Sequence, residues 1–325
     1  MTAASTSASS TPASPPAPPR PRIILDCDPG LDDAVAIALA LAHAEVVGIT
    51  AVGGNVALEH TTRNALALCD LLGRADVPVH AGIDLPLCGS LAHRATEFHG
   101  PTGIGTLELP APSRAPSSTD AVGWIIETVR AEEGLWLVPT GPLTNIAVAF
   151  EQAPDIVGRL AGIAWMGGSS THGNTTPAAE FNAWVDPEAA KIVFDAGHPQ
   201  LVMLGLNVTH TVLLDDVWID GLAQVDTAVA RAFNALLRYY RSRGRVLTTL
   251  AGAAIHDALA VARVTHPHLL GGVRRPVTVV VEDGPTRGMT LVDTRPRRSF
   301  DGVNAEVVEW ADAAALRDVV ADALR

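Results

Sequence analysis

The chain has 325 residues, of which 48% are hydrophobic, and its formal net charge is -12. That length and apolar content suffice for a sizeable core and exclude global disorder. The acidic balance disfavours nucleic acid or an anionic membrane as partner, because both reward a basic face, and it suits a pocket that holds a cation.

The first 21 residues are mostly Ala, Ser, Thr and Pro, with six prolines and no apolar run of the kind a secretory signal needs. They read as a disordered leader (1–21) ahead of one domain over 22–325. The richest apolar run, Ala34 to Ala42, is too short to span a membrane and is followed by His43 and Glu45. Cys27, Cys69 and Cys88 are odd in number, widely spaced and free of CxxC pairs. They point to a reducing compartment, hence the cytoplasm, and all three read as small core residues.

Ile23-Ile24-Leu25 is a short buried strand running into Asp26-Cys27-Asp28-Pro29-Gly30, after which Asp32-Asp33 open a helix through Leu39. Val46 to Val52 is a second strand, closed by Gly53-Gly54-Asn55, and a helix follows from about Leu58 to Leu72. Asp84 to Ser118, rich in Gly, Pro and Ser, reads as a long loop, and loops of that length are usually functional or disordered. Helix 121–130, strand 135–138, helix 143–150, strand 163–166, helix 187–196 and strand 201–204 continue the alternation. Val277 to Val281 and Met289 to Val292 form a hairpin. Apolar strands alternating with helices predict an α/β fold, a mostly parallel open sheet with helices on both faces. Ligands of such sheets bind beyond the carboxyl ends of the strands.

Asp26, Asp28, Asp32 and Asp33 put four carboxylates within eight residues of one strand-to-helix turn. Packed together they repel one another, and a divalent cation removes that cost; hard oxygen ligands select calcium or magnesium over zinc. The plainer alternative is that they cap the helix and stay solvated. A strand ending in Asp-x-Asp also resembles the haloacid dehalogenase-type phosphatases, but Gly30 stands where that family has Thr or Val.

The whole string Asp26-Cys27-Asp28-Pro29-Gly30-Leu31-Asp32-Asp33-Ala34 resembles the signature of the inosine-uridine-preferring nucleoside hydrolases. The resemblance continues, in the family's order, at Thr62-Arg63-Asn64-Ala65, Val138 to Asn145 and Met166-Gly167-Gly168. It resumes at Ala179-Glu180-Phe181-Asn182, Asp186 to Ala190 and His256-Asp257, spanning about Ile23 to Val292. It implies a Rossmann-like nucleoside hydrolase fold and hydrolysis of the N-glycosidic bond of ribonucleosides by a calcium-bound water. It also implies a homo-oligomer, dimer or tetramer, working in purine and pyrimidine salvage.

The resemblance further implies that Asp28, Asp33, the Thr140 carbonyl and Asp257 bind Ca2+, with Asp28 taking the proton of the water. Asp32, Asn55, Asn174, Glu180 and Asn182 fall to the ribose, His256 to the departing base as general acid, and His99 to a place near that base. Each has a duller reading: Asn55 as a turn residue, Glu180 and Asn182 as solvated loop, Asp257 as a helix residue, His256 as core. Arg63 and Asn64 read as structural. The match weakens before His256, where Gly244 and Thr248 stand at positions at which nonspecific relatives carry Tyr and Arg. A modified or larger ribosyl substrate, or nucleoside binding without catalysis, therefore stays open as an alternative. The loop around Phe98 and the helix after Val225 read as water-excluding lids.

Overall fold

A computed structural model describes residues 20–88, 90, 94–296 and 301–325. The leader assigned to 1–21 thus lies, through residue 19, outside the described residues. The first six strands are β1 (Arg22–Cys27), β2 (Glu45–Ala51), β3 (Val79–Ala81), β4 (Leu135–Pro139), β5 (Gly162–Met166) and β6 (Leu201–Leu204). With Leu270–Arg275 and Ala305–Ala311 they form an eight-stranded sheet in the order β3-β2-β1-β4-β5-β6, then Ala305–Ala311, then Leu270–Arg275. Every neighbouring pair is parallel except the last, which is antiparallel.

The strands read as unbroken apolar runs because both faces are covered. Ile23, Leu25 and Cys27 pack into one core and Ile24 into the other, as the two-residue alternation of a strand requires. Helix Leu31–His43 is buried continuously from Leu31 to Leu41, wedged against helices His256–Thr265 and Ala313–Ala323. A helix apolar on all sides is expected for such a place.

The sheet order decides where a ligand can go. From β1 the chain proceeds outward to β2 and β3 on one side, and β4 starts the other half on β1's opposite edge. The crevice at that switch lies beyond the carboxyl ends of β1 and β4, where the acidic turn and Thr140 are found.

Three expectations change. Cys27 and Cys69 are buried, but Cys88 is exposed in the 84–118 connection, so it is no core residue. That connection also holds a one-turn helix, Thr96–His99. The C-terminal strand Ala305–Ala311 was not expected: it slots between β6 and Leu270–Arg275 and gives the sheet an antiparallel edge. Leu270–Arg275 is largely half-exposed, without the apolar run that marks the inner strands. The hairpin stands, with Val277–Val279 paired to Thr290–Val292. No helix of the described residues is long and apolar enough to cross a membrane.

Candidate active site

β1 ends at Cys27, and Asp28-Pro29-Gly30 turns the chain into the helix whose first turn carries Asp32 and Asp33. The turn is tight enough to need glycine: a Cβ on Gly30 would lie 2.4 Å from His99 Nδ1 and 2.7 Å from Asn55 Nδ2. Asp33 closes it by accepting from Gly30 N at 2.9 Å, and its other oxygen accepts from Thr140 Oγ1 at 2.9 Å. Asn55 is more than a turn residue. Its backbone N–H donates to Asp28 Oδ2 at 2.7 Å, and its Nδ2 donates to Asp28 O at 3.1 Å and Asp33 Oδ2 at 3.3 Å.

Asp257 reaches the cluster from helix His256–Thr265, whose start follows a short antiparallel pairing of Leu213–Leu214 with Ala253–Ala254. Carboxylate oxygens of Asp32, Asp33 and Asp257 lie within 4.8 Å of one another, and all three residues are buried. Burial, then the charge of Asp33, pushes Asp28 well above the usual carboxylate range and Asp32 up to about 8. Asp257 is likewise raised, by burial and then by Asp32, Asp33 and Asp28. Asp28 Oδ1 is buried without a hydrogen-bond partner. Acids kept this close, with an oxygen left unpaired, fit a hard divalent cation: every donor is oxygen, as calcium or magnesium prefers. The solvated-cap alternative does not survive their burial.

The ligand set inferred from sequence is only partly the set that clusters. Asp33 and Asp257 are in it, Asp32 joins them, and Asp28 stands beside them with its free oxygen. The Thr140 carbonyl accepts from Asn182 Nδ2 at 2.8 Å, and a carbonyl has a second lone pair for a cation. Asp26, the fourth acid of the string, is held apart: Thr50 Oγ1 and Asn145 Nδ2 donate to its Oδ1 at 2.5 and 2.8 Å. It is fully buried and is not among the residues that line the cavity above the turn, which removes the phosphatase reading, where this residue would be the nucleophile.

A cavity of about 970 Å³ opens above the cluster. Asp32, Asn55, His99, Asn174, Glu180 and Asn182, the residues assigned to substrate, all line it. So do Thr140, His256 and Asp257. Glu180 is not solvated loop but a buried N-cap. Its carboxylate accepts from Gly168 N at 2.8 Å, Asn182 N at 2.9 Å and Ala183 N at 3.1 Å, while burial raises it to about 7. Asn182 is buried and also donates to Met166 O at 3.0 Å. Asn174 is exposed, its Oδ1 accepting from Phe181 N at 3.0 Å.

Both histidines picked from the sequence sit on the cavity wall in neutral form. Burial lowers His256 to about 3 and His99 to about 4. His256 Nδ1 pairs with Thr209 Oγ1 at 2.8 Å, and His99 Nδ1 accepts from Leu31 N at 3.1 Å. Two further histidines were missed. His210 meets the His256 ring edge-on at 5.4 Å between centroids, and His172 follows at 5.7 Å from His210. Their one signal in the sequence is position, since each follows the carboxyl end of a strand, β5 or β6. On the far wall, Gly244 and Thr248 line the cavity as the sequence placed them, but the Thr248 hydroxyl is spent on Gly244 O at 2.9 Å. Asn64, read as structural, donates to Pro29 O at 3.1 Å and Thr102 O at 2.7 Å, supporting the turn from behind.

Comparison with known proteins agrees with this geometry. The family described as inosine-uridine preferring nucleoside hydrolase matches residues 23–318. The inosine-uridine preferring nucleoside hydrolase of Crithidia fasciculata is 42% identical over 282 residues, 85% of this chain and 89% of that protein. The pyrimidine-specific ribonucleoside hydrolase RihA of Shewanella sp. (strain MR-7) is 39% identical, covering 93% of this chain and 95% of the relative. Among solved structures, the purine-preferring ribonucleoside hydrolase from Gardnerella vaginalis superposes with a TM-score of 0.87 at 34% identity, over 93% of this chain and 98% of that one.

Proposed function

The chain belongs to the inosine-uridine preferring nucleoside hydrolase family, and from that premise we propose how its own residues carry out the reaction. It is an enzyme that hydrolyses the N-glycosidic bond of ribonucleosides to free base and ribose. The metal in our reading is calcium, held by Asp28, Asp33, Asp257 and the Thr140 carbonyl, with Asp32 beside them. Once bound, it supplies the charge that keeps these acids ionised, makes a water more acidic and gives the sugar's hydroxyls an oxygen-seeking partner.

The orphaned Oδ1 of Asp28 supports its role as the base. Asn55 occupies the other oxygen, so one oxygen is left to take a proton from the attacking water. Asp32, Asn174, Glu180 and Asn182 orient the ribose, whose hydroxyls must all be paired once water is excluded. The sugar gains oxocarbenium-like character as the bond breaks, and the base leaves on the His256 side. In this reading His256 Nδ1 is taken up by the Thr209 hydroxyl, which leaves Nε2 of the neutral ring to give the departing base a hydrogen bond and not a proton. His99 belongs near the same group. The reading places the enzyme in the cytoplasm as a homo-oligomer, dimer or tetramer.

The observation that carries this reading is the set of four buried acids, Asp28, Asp32, Asp33 and Asp257, beneath a cavity lined by Asn174, Glu180 and Asn182. Its test is free ribose release from a panel of purine and pyrimidine nucleosides. Release identifies the preferred base; none from any nucleoside, by folded calcium-loaded protein, would redirect the reading to a modified or larger ribosyl substrate.

Space for Asp28 supplies a second expectation. A Cβ on Gly54 would lie 2.1 Å from Asp28 Oδ2 and 2.9 Å from Pro142 Cδ, so neither neighbour yields cheaply. Gly54→Ala should displace the Asp28 carboxylate and lower kcat by about 100-fold, measured as ribose release at saturating nucleoside. Wild-type turnover would mean that Asp28 need not sit where it does.

A further inference from the structure

Helix Thr96–His99 is a single turn, too short to be stable alone. Four residues after Glu97 stands Pro101, which has no N–H, so the Glu97 carbonyl lacks the donor a helix would provide. Arg243, on helix Ala228–Leu247, fills that place: its Nε and Nη2 both donate to Glu97 O, at 3.0 and 2.7 Å. The same helix makes two more contacts there. Phe98 meets Tyr240 edge-on at 5.4 Å between centroids, and Gly105 sits against Tyr239, where a Cβ would come within 2.4 Å of the ring. Tyr239 and Arg243 are four residues apart and share a helix face. Gly105 N in turn donates to His99 O at 2.8 Å.

The other end of this assembly is the site. His99 Nδ1 accepts from Leu31 N, directly after the acidic turn, and its ring occupies the space that Gly30 leaves open. We propose that Arg243 is a positioning residue of the hydrolase: through the Glu97 carbonyl it keeps helix Thr96–His99 closed on the acidic turn, so that His99 is in place before the nucleoside arrives. The kinetic consequence rests on the nucleoside hydrolase reading; the structural one does not. Because helix Ala228–Leu247 runs on to Thr248, the contact also joins the base-side wall to His99.

The experiment is a double-substitution cycle on the full chain with calcium. Arg243→Ala is expected to raise KM by about tenfold and to change kcat by less than about twofold, since a partly populated closed state reduces apparent affinity by its population. Arg243→Lys, which keeps a donor but loses the fork, should recover part of the loss. In a His99→Ala background Arg243→Ala should change KM by less than about twofold, because the two act as one unit. Amide exchange over residues 96–105 should quicken in Arg243→Ala while the melting temperature holds. Unchanged exchange, an unchanged KM, or additive effects of the two substitutions would each overturn the proposal. A parent enzyme releasing no ribose would sink the functional reading instead, and the exchange comparison would still decide whether Arg243 closes the helix.

Discussion

Asp28→Asn is expected to fold and to keep much of its calcium binding through Asp33, Asp257 and the Thr140 carbonyl, though at lower affinity. When loaded, it should lose turnover by about 1000-fold, the middle of the range for general-base loss. The reason lies in the two oxygens of that carboxylate. Oδ2 accepts the Asn55 N–H at 2.7 Å, a bond an amide oxygen can keep. Oδ1 is buried with no partner, and in the variant an NH2 stands there, unable to take a proton. Folding should not suffer, because burial and the charges of Asp33 and Asp32 disfavour an ionised Asp28, and its charge in turn raises Asp257. Ribose release, calcium titration by calorimetry and a thermal melt check the three parts. A variant with a tenth or more of wild-type kcat would end the assignment of Asp28 as base.

Chelation should abolish ribose release, and added calcium should restore it. It should also change stability in a direction fixed by the acids. Without a cation, burial raises Asp33 above its unfolded value, and burial with repulsion raises Asp28 and Asp257 and takes Asp32 to about 8. A raised carboxylate binds more protons folded than unfolded. Its favourable contribution is present below the unfolded value, about 4, and is lost as pH rises through the folded value. The chelated protein therefore pays most at neutral and alkaline pH, where calcium helps most. At a hundredfold excess over its dissociation constant, calcium contributes about 2.7 kcal/mol, or about 5 °C in Tm for a chain of this size. The difference between calcium-loaded and chelated Tm should grow from pH 5 to pH 8. A difference flat across that range would mean the acids do not hold the ion.

Fold and site were legible to different degrees, for physical reasons. The parallel core was plain because its strands are buried on both faces and so read as apolar runs, as Ile23-Ile24-Leu25 does. The edge strand Leu270–Arg275 has only part of that burial, and its pattern dissolves into glycine and arginine. The acidic string stood out because one turn supplies three of its site carboxylates locally. Glu180 and Asn182 were singled out from the sequence and line the cavity, but the carboxylate's work as a buried cap, bonded to Gly168, Asn182 and Ala183, depends on contacts no local pattern records. His172 and His210 were invisible as partners of His256 because 84 and 46 residues separate them from it in the chain.

By itself, then, the sequence determined the chemistry on offer: a cluster of hard oxygen donors after a buried strand, amide side chains farther on, and a histidine next to the last acid. Such features follow from residue type and short spacing. Only the tertiary structure decided which of these groups meet. It set Asp26 apart on Thr50 and Asn145, gathered Asp32 with Asp33 and Asp257, and left one oxygen of Asp28 free. It also brought Arg243 to a carbonyl that Pro101 had left without a donor. Long-range packing makes those choices, because a buried polar atom is satisfied by whatever the fold carries to it and not by its neighbours in the chain.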